Sequence, residues 1–343
     1  MGKVFGKRLS GLFCASNLDA LLLFNGELAH GCDPNFYYFT GSSIDNSLAV
    51  LTPDSATLFC AKMNLAQAKA GAWMECRETG KDVLAQVKKL IGRGKIGADF
   101  DSISASRHLR WKRALGKLFD AGKEMDTVRA RKDEAEIGKI AKAVSATKKI
   151  FEKVESRLAP GRSESEIAKS LIIMAHEGGF EPSFEPIVAS GANSRFPHHV
   201  PGKQKLGEGI VLVDFGVRSE GYCSDITRCY FLGGCKREKE AYGMAQDTFA
   251  ELLGIMQSFK TGGGIAAESE RLMKKLKLPP MPHSIGHGLG IEVHESPSLR
   301  KGSGDAIAPG NVLAIEPSAY FKSFGVRFEE DVLVLSGKKA RVL

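Results

Sequence analysis

Two short stretches of this chain put carboxylates where apolar side chains belong. Asp214 sits inside Val211-Leu212-Val213-Asp214-Phe215, and Glu316 sits inside Leu313-Ala314-Ile315-Glu316-Pro317. An unpaired carboxylate buried in such a strand is strongly destabilised or takes up a proton, so each one calls for a positive group beside it. Each also has an acidic partner downstream. Asp225 follows eleven residues after Asp214, in Tyr222-Cys223-Ser224-Asp225-Ile226. Glu329 follows Glu316, in Val326-Arg327-Phe328-Glu329-Glu330-Asp331-Val332. A hairpin turning at Ser219-Glu220 would set residues whose numbers sum to 439 face to face, Asp214 and Asp225 among them. A hairpin turning at Lys322-Ser323 gives a facing sum of 645, which Glu316 and Glu329 meet. Facing Cβ atoms lie ~5 Å apart. Like charges that close repel unless a cation bridges them.

Between the two hairpins runs His283-Ser284-Ile285-Gly286-His287-Gly288-Leu289-Gly290-Ile291-Glu292-Val293-His294-Glu295. Glycine at every second position argues for an extended segment that lets backbone approach something closely. Four carboxylates and an imidazole suit a pair of hard-to-borderline divalent ions such as Mn²⁺, Co²⁺, Fe²⁺ or Zn²⁺. Bridging carboxylates can hold two ions ~3.5–4 Å apart, with a shared water made nucleophilic at neutral pH. The alternative is that each carboxylate is separately satisfied by Lys or Arg.

These residues must be carried by a definite set of elements. In the first third, residues 20–24 read as a strand, and residues 36–40 follow an Asp33-Pro34-Asn35 turn and end at Gly41. Residues 48–51 and 56–59 flank Thr52-Pro53-Asp54-Ser55 as a hairpin. Residues 82–91 read as a helix and 95–100 as a strand, which makes a small α/β domain over 1–125. A long helix starts near Asp133 and is stopped by Pro160-Gly161. Ser163 with Glu166 forms a capping box opening a second helix through about His176. The remainder is α+β: strands at 210–217 and 222–231, helices at 238–258 and 265–277, and closing strands at 313–321 and 326–335. The second domain therefore spans 126–343.

The pieces VDFGVRSEGYCSDITR, HSIGHGLGIEVHE, IEPSAY and GVRFEED are, in order and spacing, strongly similar to the pita-bread metallopeptidases: prolidase, aminopeptidase P and methionine aminopeptidase. The resemblance spans roughly residues 126–338 and implies metal ligands at Asp214, Asp225, His287, Glu316 and Glu329. Creatinase and binding-only relatives lack part of that set. PIVASGANSRFPHH also matches and implies an active-site histidine at His198, with His199 an extra residue expected at the surface. The resemblance further implies that His294 contacts the scissile peptide, that His283 lies near the substrate, and that Arg327 lies at the metal centre, contacting substrate or pairing with a ligand carboxylate. DPNFYYFTG resembles, more loosely, the N-terminal domain of prolidase and aminopeptidase P, which methionine aminopeptidase lacks. Two departures stand out: Ser318 where glycine is common, and Cys229 where threonine is common. Cys223 and Cys229 are read as core packing.

The implied activity is hydrolysis of Xaa-Pro bonds by a metal-bridging hydroxide. Glu316 would move the proton, and His294 would stabilise the oxyanion. A dipeptidase is expected ahead of an aminopeptidase P. Arg300 is a candidate for the substrate carboxylate. A catalytically silent binding module is the alternative from another class. A homodimer is expected from the same resemblance.

Bulk properties agree with a globular enzyme. The 343 residues are too many for one ordinary core, and 43% hydrophobic with 26% charged is a globular balance. The net charge of +8 comes from scattered Lys and Arg with no dense basic block, so no nucleic-acid partner is expected. Seven cysteines, an odd number with no Cys-x-x-Cys spacing, fit a reducing compartment. The basic N-terminal stretch has no long apolar segment, so no signal peptide, membrane span or membrane partner is expected, and the cytoplasm is the expected location.

Overall fold

A run such as residues 20–24, apolar at every position, can form a strand only if both of its faces are covered. In the computed structural model, which describes residues 2–26, 32–71 and 73–343, Ala20–Asn25 is an inner strand of a six-stranded mixed sheet. It pairs antiparallel with Ser47–Leu51 and parallel with Ile96–Ala98. Ser47–Leu51 and Ala56–Cys60 form the expected hairpin around the Thr52–Ser55 turn. Leu22, Val50, Phe59, Val87 and Trp111 meet in the core of this sheet and its helices. Residues 34–40 are helical. Asp33 accepts the Phe36 N–H as N-cap, Pro34 supplies a helical φ at the first turn, and Gly41 closes the helix with φ 68°.

The chain divides into two units, Met1–Arg129 and Ala130–Leu343. Position 126, where the sequence suggests a boundary, falls inside the helix Gly122–Ala130. Among the described residues no helix is long and apolar enough to cross a membrane.

The second unit opens with the helix Glu134–Glu155. Its N-terminus is closed by a capping box in which Asp133 and Glu136 each accept the other's backbone N–H. The helix Glu164–Glu177 begins with the same device, from Ser163 and Glu166. Three antiparallel strands follow, in the order Ile226–Leu232, Gly209–Phe215, Ile187–Ser190. A four-stranded sheet runs Gly286–Gly288, Val312–Ile315, Glu330–Val334, Ala340–Val342. The helices Lys236–Gly254 and Gly262–Lys275 supply Ala241, Tyr242, Phe249, Leu252, Ile265 and Leu272 to two apolar clusters behind these sheets.

Both acidic hairpins are interrupted where their carboxylates lie. The expected continuous strands at 210–217 and 222–231 are each split, into Gly209–Phe215 with Val217–Ser219 and Tyr222–Cys223 with Ile226–Leu232. The turn is made by Glu220 and Gly221, with φ 49° and 86°, one position later than Ser219-Glu220. Paired residues therefore sum to 441, and Asp214 faces Thr227 rather than Asp225. The second hairpin keeps the expected sum of 645 through Val312↔Leu333, Ile315↔Glu330, Ser318↔Arg327 and Tyr320↔Gly325. Pro317, which has no N–H to give a ladder, separates its two ladders just after Glu316.

Candidate metal centre

The first pair is placed by a pinch in the backbone. A Cβ on Gly216 would lie 1.8 Å from the Ser224 carbonyl oxygen, so only glycine lets the two chains approach there. The Val217 N–H leaves the ladder and donates to the Ser224 hydroxyl at 3.0 Å and the Thr147 hydroxyl at 3.2 Å. The Asp225 N–H donates instead to Asp331 Oδ2 at 2.9 Å. Asp225 thus sits diagonally from Asp214 on the pinched ribbon rather than opposite it.

His287 arrives on Gly286–Gly288, which pairs with Val312–Ile315. The alternating glycines have the close neighbours the pattern predicts. Cβ atoms on Gly286, Gly288 and Gly290 would meet the Ala314 carbonyl at 2.0 Å, the Ser296 carbonyl at 2.2 Å and the Glu295 carboxylate at 2.3 Å. Lys132 pairs with Glu295 at 2.6 Å, both side chains buried, beside His294.

The five residues converge. Ligand atoms of Asp214, Asp225 and Glu329 lie within 4.8 Å of one another, as do those of His287, Glu316 and Glu329, and those of Asp225, His287 and His294. Buried oxygens Asp214 Oδ1 and Asp225 Oδ1 have no hydrogen-bond partner. A buried carboxylate oxygen with nothing to accept from is costly unless a cation faces it. His287 Nδ1–H donates to the Gly288 carbonyl at 3.1 Å, which fixes the tautomer and leaves Nε2, 3.7 Å from Asp225 Oδ2, with a free lone pair. Orphaned oxygens, a neutral imidazole lone pair and an all-O/N donor set fit divalent ions.

The electrostatics agree. Burial, then the charge of Glu329 and of Asp214, pushes Asp225 well above the usual carboxylate range. Burial and Glu329 do the same to Glu316. Burial and Asp214 raise Glu329 to about 8. Burial, helped by His294, drops His287 to about 3, which keeps its ring neutral. In the protein alone, shared protons and the positive charge of Arg327 are what relieve their repulsion.

Surrounding side chains fix the ligand set. Arg327 Nη2 donates to Asp214 Oδ2 at 2.6 Å, its Nε to the Thr227 hydroxyl at 3.0 Å, and its Nη1 to the Tyr320 hydroxyl at 3.1 Å. The guanidinium is buried and engaged on all three nitrogens, the geometry of a residue that holds a carboxylate. Thr227 donates to Glu329 Oε2 at 2.6 Å. His283 Nδ1–H donates to the Ser284 carbonyl at 2.8 Å, so its Nε2 accepts from Tyr320 at 2.9 Å. Burial drops His283 to about 4, with a small contribution from Arg327 and His198. His283 Nδ1 is 3.7 Å from Glu316 Oε2. Burial also lowers His294, against the charge of Asp214 and with a further lowering from His198. His294 packs edge-on to His287 at 4.2 Å between ring centroids. His198 is exposed, and its charge is among the influences that lower both rings.

Other expected residues lie elsewhere. Arg300 is exposed, in the turn where its carbonyl accepts from Ser303. His199 is not the loose surface residue expected: its Nε2 is 2.8 Å from Glu164 Oε2, a fully buried carboxylate. Cys223 and Cys229 are buried and free, with thiols pushed up by burial to about 11 and about 12. Sequence reasoning singled out neither Thr227, Tyr320, Asp331 nor Glu164. A buried Thr one strand position from Asp225's segment was the one available signal, and hydroxyl residues are too common to act on.

Comparison with known proteins bears on the same residues. Residues 138–336 match metallopeptidase family M24, and residues 7–131 match the creatinase/prolidase N-terminal domain. An Xaa-Pro dipeptidase of Pyrococcus horikoshii is 27% identical, over 98% of this chain and 95% of that protein. The solved structure of an Xaa-Pro dipeptidase from Bacillus anthracis superposes with a TM-score of 0.88 at 26% identity, covering 98% of this chain and 96% of that one. An X-Pro aminopeptidase from Thermotoga maritima gives 0.87 at 28%, with 96% of each chain covered. With more than half of its length matched by one family, a creatinase/prolidase domain ahead of it, and ligand-type side chains gathered at one buried point, the chain belongs to metallopeptidase family M24.

Proposed function

We propose that this protein hydrolyses Xaa-Pro peptide bonds with two divalent ions held by Asp214, Asp225, His287, Glu316 and Glu329, and that it acts as an Xaa-Pro dipeptidase. The observation that carries the reading is the convergence of these five groups, with buried oxygens of Asp214 and Asp225 left without a partner. The relatives named for Xaa-Pro cleavage support the substrate class. Mn²⁺ or Co²⁺ is the first choice of metal, and Zn²⁺ or Fe²⁺ the second. Such ions, when bound, supply a water acidic enough to attack at neutral pH and a Lewis acid for the carbonyl.

The side chains then have distinct tasks. Arg327 and Thr227 hold Asp214 and Glu329 in place, so neither carboxylate can swing away from the centre. Glu316, as its carboxylate, takes a proton from the attacking water and passes it to the proline nitrogen. His294 donates to the developing oxyanion. His198 and His283 orient the peptide, with His283 held neutral and tethered through Tyr320. Arg300, exposed and in reach of solvent, is proposed to receive a substrate carboxylate. The two structural units, with the catalytic residues all in the second, serve as N-terminal and catalytic domains of a cytoplasmic homodimer whose seven cysteines stay reduced.

Metal-stripped protein assayed on Met-Pro and Met-Pro-Gly, with and without Mn²⁺ or Co²⁺, tests this. Metal-dependent release from Met-Pro alone is the expected result. Turnover of Met-Pro-Gly would favour the aminopeptidase reading, which the Thermotoga likeness supports. No turnover of either, with metal bound, would point to a silent binding module.

A further inference from the structure

His198 makes no hydrogen bond of its own that would fix it, yet the role proposed for it, orienting the peptide, needs its ring held toward the centre. Its two chain neighbours are both tied down. The Pro197 carbonyl accepts from Arg327 Nη1 at 3.3 Å. The His199 ring meets Glu164 Oε2 at 2.8 Å. Glu164 opens the helix Glu164–Glu177, where the helix dipole favours a negative charge. Its carboxylate has zero exposure and collects five donors. Oε1 accepts from the Ser190 N–H at 2.7 Å, the Ser190 hydroxyl at 3.0 Å and Asn193 Nδ2 at 3.0 Å. Oε2 accepts from His199 and from the Gly202 N–H at 3.2 Å. Those donors come from both ends of the segment that carries His198. Along it Phe196, His198 and Val200 are exposed, while Pro197 and His199 are held inward.

We infer that Glu164 and His199 form a positioning pair that fixes His198 at the substrate side of the centre. The inference rests on the proposed peptidase reading for His198, and it adds that His199 works only through its neighbour. Both members are chemically suited to this. A buried carboxylate satisfied by four other donors is a rigid anchor, and an imidazole N–H to it is a charge-assisted hydrogen bond. Loss of the His199 ring frees one side of the segment while Pro197 stays held by Arg327, so the effect is a loosening of residues 198–201 and not a collapse of the site.

The test uses His199→Ala, His199→Gln, His198→Ala and the His198→Ala/His199→Ala double variant in the metal-loaded full chain. Glutamine places an amide N–H where the ring Nε2–H stands. His199→Ala should lower kcat by about ten- to hundred-fold, the range that a ~1 Å misplacement costs, and His199→Gln should restore most of it. In the His198→Ala background the second substitution should change kcat less than twofold, since the group it positions is already gone. Amide exchange across residues 196–202 gives a readout that needs no turnover. It should quicken in His199→Ala and return in His199→Gln. Equal losses with and without His198, or unchanged exchange in His199→Ala, would overturn the inference. An inactive wild type with quickened exchange in His199→Ala would sink the peptidase reading and leave the positioning pair standing.

Discussion

Glu329 is the residue whose titration says most about the centre. Burial, then Asp214, raises it to about 8 from an ordinary 4.5. The unfolded chain gives up this proton near 4.5, so between about 4.5 and about 8 this group keeps its proton in the folded metal-free protein and not in the unfolded chain. The contribution of Glu329 to stability therefore falls as pH rises from about 4.5 to about 8, while His283 and His287, held neutral at about 4 and about 3, add the opposite slope up to 6.5. Melting temperatures of metal-stripped protein should decline between about 6.5 and about 8, where the histidines no longer titrate in either state, and Glu329→Gln should flatten part of that slope. Bound divalent ions replace the protons, so the metal-loaded protein should show little slope and should release protons on loading. A metal-free protein that grows more stable across the same window would contradict the coupling of these carboxylates. Thr227 acts on the same residue by a single hydroxyl, which donates to Glu329 and accepts from Arg327. Thr227→Val keeps the shape and removes both bonds. It should weaken metal binding about 10–100-fold, as changes beside ligands typically do, measurable by chelator competition.

Among the elements, the pinched hairpin sets the geometry of the first carboxylate pair. The cost of disturbing it can be read from two glycines. At Gly216 an added Cβ meets backbone 1.8 Å away, and backbone in a ladder cannot step aside as a flexible side chain can. Gly216→Ala should destabilise by about 1–3 kcal/mol or more, as overpacking does, and should displace Asp225 so that metal affinity falls with it. Gly138 is the contrast. It lies exposed within the helix Glu134–Glu155, with nothing within 4 Å of an added Cβ. Gly138→Ala should stabilise by about 0.5–1 kcal/mol with no effect on metal binding. Urea titrations of both variants check the pair, and similar midpoint shifts would mean that the close approach at Gly216 is relieved elsewhere.

For the whole molecule, the opposed terms are a densely acidic point and a chain with net charge +8. The excess Lys and Arg are scattered along the chain and form no dense block. The elements that carry the candidate site all fall within Ala130–Leu343 and the six-stranded sheet within Met1–Arg129. Metal removal should lower the melting temperature by an amount that grows with ion concentration above the dissociation constant, because the ligand set does not exist in the unfolded chain. A melting temperature independent of Mn²⁺ and Co²⁺ would mean that the acidic cluster is satisfied by protons alone.

Local chemistry determined a good deal of this protein from sequence alone. Ser163 with Glu166 specifies a helix start through groups three residues apart, and apolar spacing places a helix from about Asp133; Asp33-Pro34-Asn35 reads as a turn, and only the structure shows it opening the helix Pro34–Thr40. Carboxylates within apolar strands, and glycines at alternate positions around His287, marked the centre, because burying charge and bringing backbones together both have few solutions. The 645 register was legible because Lys322-Ser323 is a plain two-residue turn. The 441 register was not: two left-handed residues, Glu220 and Gly221, place the turn one position later, and the sum is the same on both sides of Gly216. Only the tertiary structure decided which groups hold the centre in place. Arg327 reaches Asp214, Thr227 reaches Glu329 and His199 reaches Glu164 across 113, 102 and 35 residues of chain. No periodicity or turn propensity encodes such pairs. They exist because burial forces each polar group to find whatever partner the packed strands bring within reach.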